Sequence, residues 1–198
     1  MEYIEWLREI KSRYQAVRSR VALQANYEAL EFNWLLGRDI VQKQAEARWG
    51  TGVVNQLSLD LREVYPDVKG FSARNLYYMK GWYEFYMTDD NHKKILHQLG
   101  AKLQIAENQN PIRLHQLGAE IVSPDRIDSI IDDGGMLPIF GIIPWKHHLL
   151  ITSKCKSVEE AFYYMARVID EGLSKRELAD VIDLSLIHIS EPTRRSYI

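Results

Sequence analysis

Two short stretches of the sequence pair an aspartate with a basic residue in a way that could support metal-assisted chemistry. Asp67 lies two residues before Lys69, and such a carboxylate–lysine pair can hold Mg²⁺ and orient a water molecule. Pro66 and Gly70 flank this pair, however, and indicate a turn between two helices. The second stretch, at residues 123–126, has no Glu-x-Lys after it. We interpret both stretches as structural and predict no catalytic residue in the chain.

Two adjacent histidines raise the question of a metal site. His147 and His148 are followed by Cys155, but neighbouring residues of a helix point to different sides and cannot readily chelate one ion. Asp132 and Asp133 lack the alternating ligand spacing of a calcium loop. We therefore predict no metal and no cofactor here, and one imidazole of the pair either packs in the core or contacts a phosphate.

The composition is that of a globular protein. The chain has 198 residues, 46% hydrophobic content and a formal net charge of −2, which fits one domain or one with a small second. Its longest apolar run, residues 136–145, is too short to span a bilayer and contains prolines. We expect a cytoplasmic protein without membrane contact. Binding to nucleic acid would need a local basic patch, because the net charge is slightly negative.

The N-terminal part shows two helical patterns. Six apolar residues are spaced alternately by four and three, like the face of a coiled coil, and we call them the seam: Tyr3, Leu7, Ile10, Tyr14, Val17 and Val21. The opposite side of this helix is basic, with Arg8, Lys11, Arg13, Arg18 and Arg20. A second stripe follows at Leu30, Trp34, Gly37 and Val41, where Gly37 suggests close approach of another element. The two patterns predict an antiparallel helical hairpin or a dimer seam.

The next stretch predicts a helix-turn-helix-like unit. Val54, Leu57 and Leu61 form a short amphipathic stripe, the turn follows, and Ser72 is a candidate N-cap for a second helix. The solvent side of this unit carries donors suited to DNA: Lys69, Ser72, Arg74, Asn75, Tyr78 and Lys80. The alternative is a plain solvated face, with Asn75 supporting the helix cap.

The second half of the chain is less regular. The hexapeptide Leu-His-Gln-Leu-Gly-Ala occurs twice, and we leave open a minor β element between residues 95 and 125. Ser157 with Glu160, and Ser174 with Glu177, have the spacing of capping boxes that begin helices. The predicted fold is mainly α. We divide it into a helical region at residues 1–90, a second segment of the same module at 91–183, and a tail at 184–198.

Many of these features recur, in the same order, in one known family. The chain resembles the N-terminal domain of the bacterial YhcG family, whose members carry a PD-(D/E)XK nuclease-like domain at the C-terminus. The resemblance covers roughly residues 3–183 and rests on Trp34, Gly37, Arg38, Ile40, Trp49, Gly50, Leu57, Asp60, Leu61, Gly70, Phe71, Ser72, Asn75, Leu76, Met79, Phe85 and Tyr86. A second block matches at Pro144, Trp145, His147, His148, Ser174 and Leu178, whereas Leu173 and Lys175 replace the commoner Trp and Arg.

The resemblance implies a role in DNA transactions. This chain would be a DNA-binding or substrate-positioning module, with Lys146 and His147 as further candidate contacts, and Mg²⁺ is expected only in a nuclease domain that the chain lacks. The alternative is a dimerisation or protein-interaction module that uses the seam. The expected partners are accordingly DNA or a second copy of the chain.

The last residues resemble no part of that family. From Leu184 to Arg194 the sequence is similar to a translated adapter from sequencing-library preparation. We expect residues 184–198 to be non-native, and Pro192 to stop any helix that continues into them. Every candidate site therefore lies before Leu184.

Overall fold

A computed structural model describes residues 3–87 and 129–190, with side chains described as far as Ser185. Its numbered α-helices are α1 (Tyr3–Gln42), α2 (Ala45–Trp49), α3 (Val53–Val64), α4 (Ala73–Met87), α5 (Trp145–Lys154), α6 (Val158–Glu171) and α7 (Lys175–Ser190). Residues 129–132 are also helical. Short 3-10 helices lie at Lys69–Phe71 and Pro138–Ile142. No strand occurs in the described ranges, and the mainly α prediction is confirmed. The β element left open between residues 95 and 125 lies outside them.

The predicted N-terminal hairpin is wrong, because α1 is one continuous helix of 40 residues. At 1.5 Å per residue it is about 60 Å long. Neither glycine nor proline occurs between the seam and Leu30, so no residue there breaks the helix. Across this segment Gln24 donates a side-chain hydrogen bond to Glu28, one turn later. The two predicted helices are thus two halves of one.

The chain divides into two compact units, residues 1–142 and residues 143–198. In the first unit, the C-terminal half of α1 packs against α4 through an aromatic cluster. The Trp34 ring lies 4.9 Å from Trp82, 5.2 Å from Tyr83 and 5.4 Å from Phe140, measured between centroids. Its indole N–H donates to the carbonyl of Gly134 over 2.9 Å, so the buried polar atom is satisfied.

Gly37 allows this close packing. A Cβ at Gly37 would lie 2.3 Å from the carbonyl oxygen of Met79, a distance that real Cβ atoms do not reach. The prediction that another element approaches Gly37 closely is confirmed. Gly141 does the same at a second point along α1, where an added Cβ would lie 2.2 Å from the ring of Tyr27. Backbone contact at these two glycines therefore fixes how the C-terminal half of α1 is held.

The second unit consists of α5, α6 and α7, and its helices begin as the sequence predicts. The Ser157 side chain caps α6 by accepting from the backbone N–H of Glu160 over 3.2 Å. Ser174 and Glu177 exchange both hydrogen bonds of a capping box. Gly172 ends α6 in the left-handed conformation, with φ of 66°.

Helix α7 passes Asp183 and runs to Ser190, so it includes the first part of the segment predicted to be non-native. Asp183 forms an ion pair with Lys154 at 2.6 Å, and the Ser185 hydroxyl bonds to that of Tyr164. Leu184 is 59% exposed. Pro192 lies outside the described residues.

Candidate nucleic-acid interface

The helix, turn and second helix predicted for the middle of the first unit are present as α3, the 3-10 turn and α4. The turn is fixed by hydrogen bonds to its own backbone: Ser58 donates to the carbonyl of Phe71 over 2.7 Å, and Asn75 donates to that of Gly70 over 2.7 Å. Ser72 begins α4, and its hydroxyl accepts from the backbone N–H of Asn75 over 3.3 Å. Ser72 and Asn75 therefore position the start of the helix.

The exposed face of α4 carries one arginine and two tyrosines. The Arg74 Nε donates to the hydroxyl of Tyr78 over 2.8 Å, and its guanidinium lies 5.5 Å from the centre of the Tyr78 ring. Tyr77 and Tyr78 are 38% and 39% exposed, and Lys69 is exposed in the preceding turn. A guanidinium beside aromatic faces can contact a phosphate, a base edge or a base plane.

Lys80 is held by acidic partners within the protein. Its ammonium group donates to the carboxylate of Glu46 on α2 and lies 3.9 Å from Glu84. The hydrogen bond to Glu46 raises the pKa of Lys80, and the same bond lowers the pKa of Glu46. The pair ties α4 to α2, and most of the positive charge of Lys80 is balanced within the fold.

An additional cation–aromatic pair was missed by the sequence reasoning. Arg48, at the end of α2, lies over the ring of Trp49 at 5.2 Å, and Trp49 is 54% exposed. Tyr77, also missed, hydrogen-bonds to Glu46 on the same short helix. The sequence does show a basic residue directly before an aromatic one, Arg48 and Trp49, and this pair could have indicated the contact. Their placement near α4 depends on the contacts of Glu46 with Tyr77 and Lys80, which are 31 and 34 positions away in the sequence.

The candidates in the second unit differ from each other. Lys146 is exposed on α5, whereas His147 is only 8% exposed, and its Nε2 lies 3.0 Å from the carbonyl oxygen of Leu173. Since a carbonyl oxygen can only accept a hydrogen bond, Nε2 is the donor and carries a proton. The packing interpretation of His147 fits this environment, and we leave His147 out of the proposed interface.

Metal ligation is not suggested by the side chains that the structure describes. They include no group of three or more His, Cys, Asp or Glu residues that could hold an ion. Cys155 is buried, and burial raises the pKa of its thiol to about 12. At neutral pH it is therefore a protonated packing residue.

The other conspicuous surface of the first unit is the N-terminal half of α1. We call residues 3–22 the arm. Every arm residue is exposed except Leu7, which is half-buried. The exposed fractions of its larger apolar side chains run from 41% to 68%, for Tyr3, Ile4, Trp6, Ile10, Tyr14, Val17 and Val21. A continuous apolar stripe of this kind is typical of a protein interface.

The family model of the DUF1016 N-terminal domain matches residues 9–123, more than half of the chain. The chain belongs to this family. The DUF1016 N-terminal domain is the N-terminal domain of the YhcG family, so the predicted resemblance is confirmed over these residues. The second block, at residues 144–178, lies beyond the match. Searches of curated proteins and of solved structures found no match.

Seven of the residues that carry the family resemblance are buried in the first unit: Trp34, Gly37, Ile40, Phe71, Leu76, Met79 and Tyr86. Trp34, Met79 and Tyr86 are each at most 1% exposed, and Gly37 contacts the α4 backbone. The buried part of the family pattern therefore lies where α1 packs on α4. Within the described ranges, no helix has both the length and the apolar character that crossing a membrane requires.

Proposed function

We propose that the α3–α4 unit is a DNA-contacting module that positions substrate for a Mg²⁺-dependent nuclease domain of the parent protein. The observation that carries this proposal is Arg74, which is exposed at the start of α4 beside Tyr78 and directly after a turn fixed by Asn75. Lys69 adds a second exposed cation in that turn. No catalytic residue and no cofactor are assigned to this chain.

The charge of the unit limits the kind of binding to expect. Lys80 is paired with Glu46, so the exposed cations Lys69 and Arg74 would supply the contacts to phosphate or base edges. Two contacts give a modest affinity and a shallow dependence on salt, because the salt slope follows the number of phosphates neutralised. Such a module would orient DNA that another domain helps to hold.

The test is binding of the chain to duplex DNA, measured by fluorescence anisotropy at several salt concentrations. Substitution of Arg74 by alanine should weaken binding about tenfold, since a lost arginine contact costs about 1–3 kcal/mol. Lys43→Ala is the matched control. Lys43 is an exposed cation of the first compact unit, outside α3 and α4, and it is already paired with Asp39 at 2.6 Å. Equal effects of the two substitutions, or binding that ignores salt, would contradict the proposal.

A second candidate function is protein interaction through the seam. It is favoured by the exposure of the arm, where Tyr3, Tyr14 and Val21 are each more than 60% exposed. In proteins most helical stability comes from packing of an amphipathic face, so an exposed apolar arm that is helical is expected to pack against a partner. Loss of an interaction on Tyr14→Ser, with unfolding unchanged, would support this function.

A further inference from the structure

The residues that flank the central part of the seam are all positively charged. In heptad terms Leu7, Tyr14 and Val21 occupy the a positions, and Tyr3, Ile10 and Val17 the d positions. The e and g positions beside the two central heptads are Lys11, Arg13, Arg18 and Arg20. These four cations therefore flank the seam, and the prediction that the arm's cations lie on the opposite side of the helix is wrong for all of them except Arg8. The arm's acids, Glu5 and Glu9, occupy the outer f and c positions, from which Glu9 pairs with Arg13.

This arrangement disfavours a second copy of the chain as the partner. A parallel pair of arms would place Arg13 of one copy opposite Arg18 of the other, because g contacts the following e′ position. An antiparallel pair would place e against e′ and g against g′, again cation against cation. Like charges in such facing positions oppose pairing and are a common way to exclude a wrong partner.

We propose that the arm binds an amphipathic helix of another protein or domain whose flanking positions are acidic. An apolar stripe with the same four–three spacing would cover the seam, and glutamates or aspartates beside it would face Lys11, Arg18 and Arg20. This inference rests on the protein-interaction function and adds the chemistry of the partner. Apolar burial supplies the affinity, and the charges select the partner and speed association.

Two designed helical peptides provide the test. Both have three heptads with leucine and isoleucine at a and d, and they differ only at e and g, where the acidic peptide has glutamate and the basic peptide lysine. Binding to the full chain is followed by isothermal titration calorimetry. We expect the acidic peptide to bind at least about tenfold more tightly than the basic one, and to weaken several-fold between about 50 and about 300 mM NaCl.

A matched pair of variants locates the effect on the arm. Arg18→Glu lies beside the seam and should reduce the preference for the acidic peptide at least about fivefold. Arg8→Glu makes the same charge change at the outer b position and should alter the preference less than twofold. Circular dichroism of both variants checks that the helix content is unchanged. Tyr14→Ser leaves the charge of the arm unchanged and should weaken binding of the acidic peptide.

The outcomes separate this inference from the function on which it rests. Equal affinity for the two peptides, or a micromolar dimer lost on Tyr14→Ser, overturns the acidic partner but leaves interaction through the seam in place. Binding of duplex DNA that is lost in Arg18→Glu, with no binding of either peptide, makes the arm a nucleic-acid surface and overturns both. Absence of both peptide binding and self-association also overturns both.

Discussion

The two halves of α1 carry similar apolar stripes but lie in opposite environments. In the C-terminal half, Leu30, Trp34 and Ile40 are 1%, 1% and 4% exposed, because α4 and the 3-10 helix at Pro138–Ile142 cover them. In the arm, Tyr14 and Val21 are 64% and 63% exposed. The stripe alone therefore predicts a face suited to burial, and the availability of a partner decides whether the face is core or interface.

The largest expected effect comes from replacing the same residue type in each half. Trp34→Ala removes the centre of the aromatic cluster and its hydrogen bond to Gly134, and should lower the free energy of unfolding by about 3–5 kcal/mol. Trp6→Ala changes a residue that is 51% exposed and should change it by less than about 0.5 kcal/mol. Urea unfolding measures both. Similar losses would mean that the arm is part of the core.

A second pair of substitutions tests the close approach of α1 and α4. Gly37→Ala forces a methyl group against the backbone of Met79 and should destabilise the fold by about 1–3 kcal/mol, despite the better helix propensity of alanine. Gly81→Ala is the control, because its added Cβ would meet nothing within 4 Å apart from its chain neighbours and the nearby backbone of its own helix. That variant should be stabilised by up to about 1 kcal/mol. Thermal unfolding measures the stability of both variants, and a gain in stability for both would contradict the close packing at Gly37.

The smallest effect concerns two ion pairs, one that joins α2 to α4 in the packed part of the first unit and one in the arm. Glu46→Gln removes the partner of Lys80 and should lower the melting temperature slightly, whereas Glu9→Gln removes the exposed partner of Arg13 and should leave it unchanged. Lys80 lowers the pKa of Glu46, so this stabilisation is present above the usual glutamate pKa and lost as the pH falls through the lowered value. The melting temperatures of the wild type and Glu46→Gln should therefore differ at neutral pH and converge at acidic pH. A constant difference would assign the effect to something other than charge.

The features that the sequence predicted correctly are those formed by residues close to one another along the chain. The caps at Ser157 and Ser174 and the turn before Ser72 involve residues within a few positions of one another, and all three are present in the structure. Gly37 was also predictable, because a glycine inside a helix costs stability and needs a packing reason. The break expected after the seam was wrong, because a change in the apolar pattern does not interrupt a helix that lacks glycine and proline.

Contacts between distant residues could not be predicted in the same way. Lys80 looked like a DNA contact until the structure paired it with Glu46, which is 34 positions away. His147 likewise contacts the carbonyl of Leu173, 26 positions further along. Neither pairing has a local signature, so a single sequence could identify donors in the candidate site but not which of them the fold already uses.

Amide hydrogen–deuterium exchange tests the two roles of α1 most directly, because it compares both halves of the helix in one experiment. In the free chain we expect amides of the arm to exchange at least about a hundredfold faster than those of residues 30–42, since only the latter are covered by packing. Addition of the acidic peptide should slow exchange in the arm and leave residues 30–42 unchanged. Equal protection of the two halves in the free chain would contradict the account. So would a peptide that slows amide exchange only in residues outside the arm.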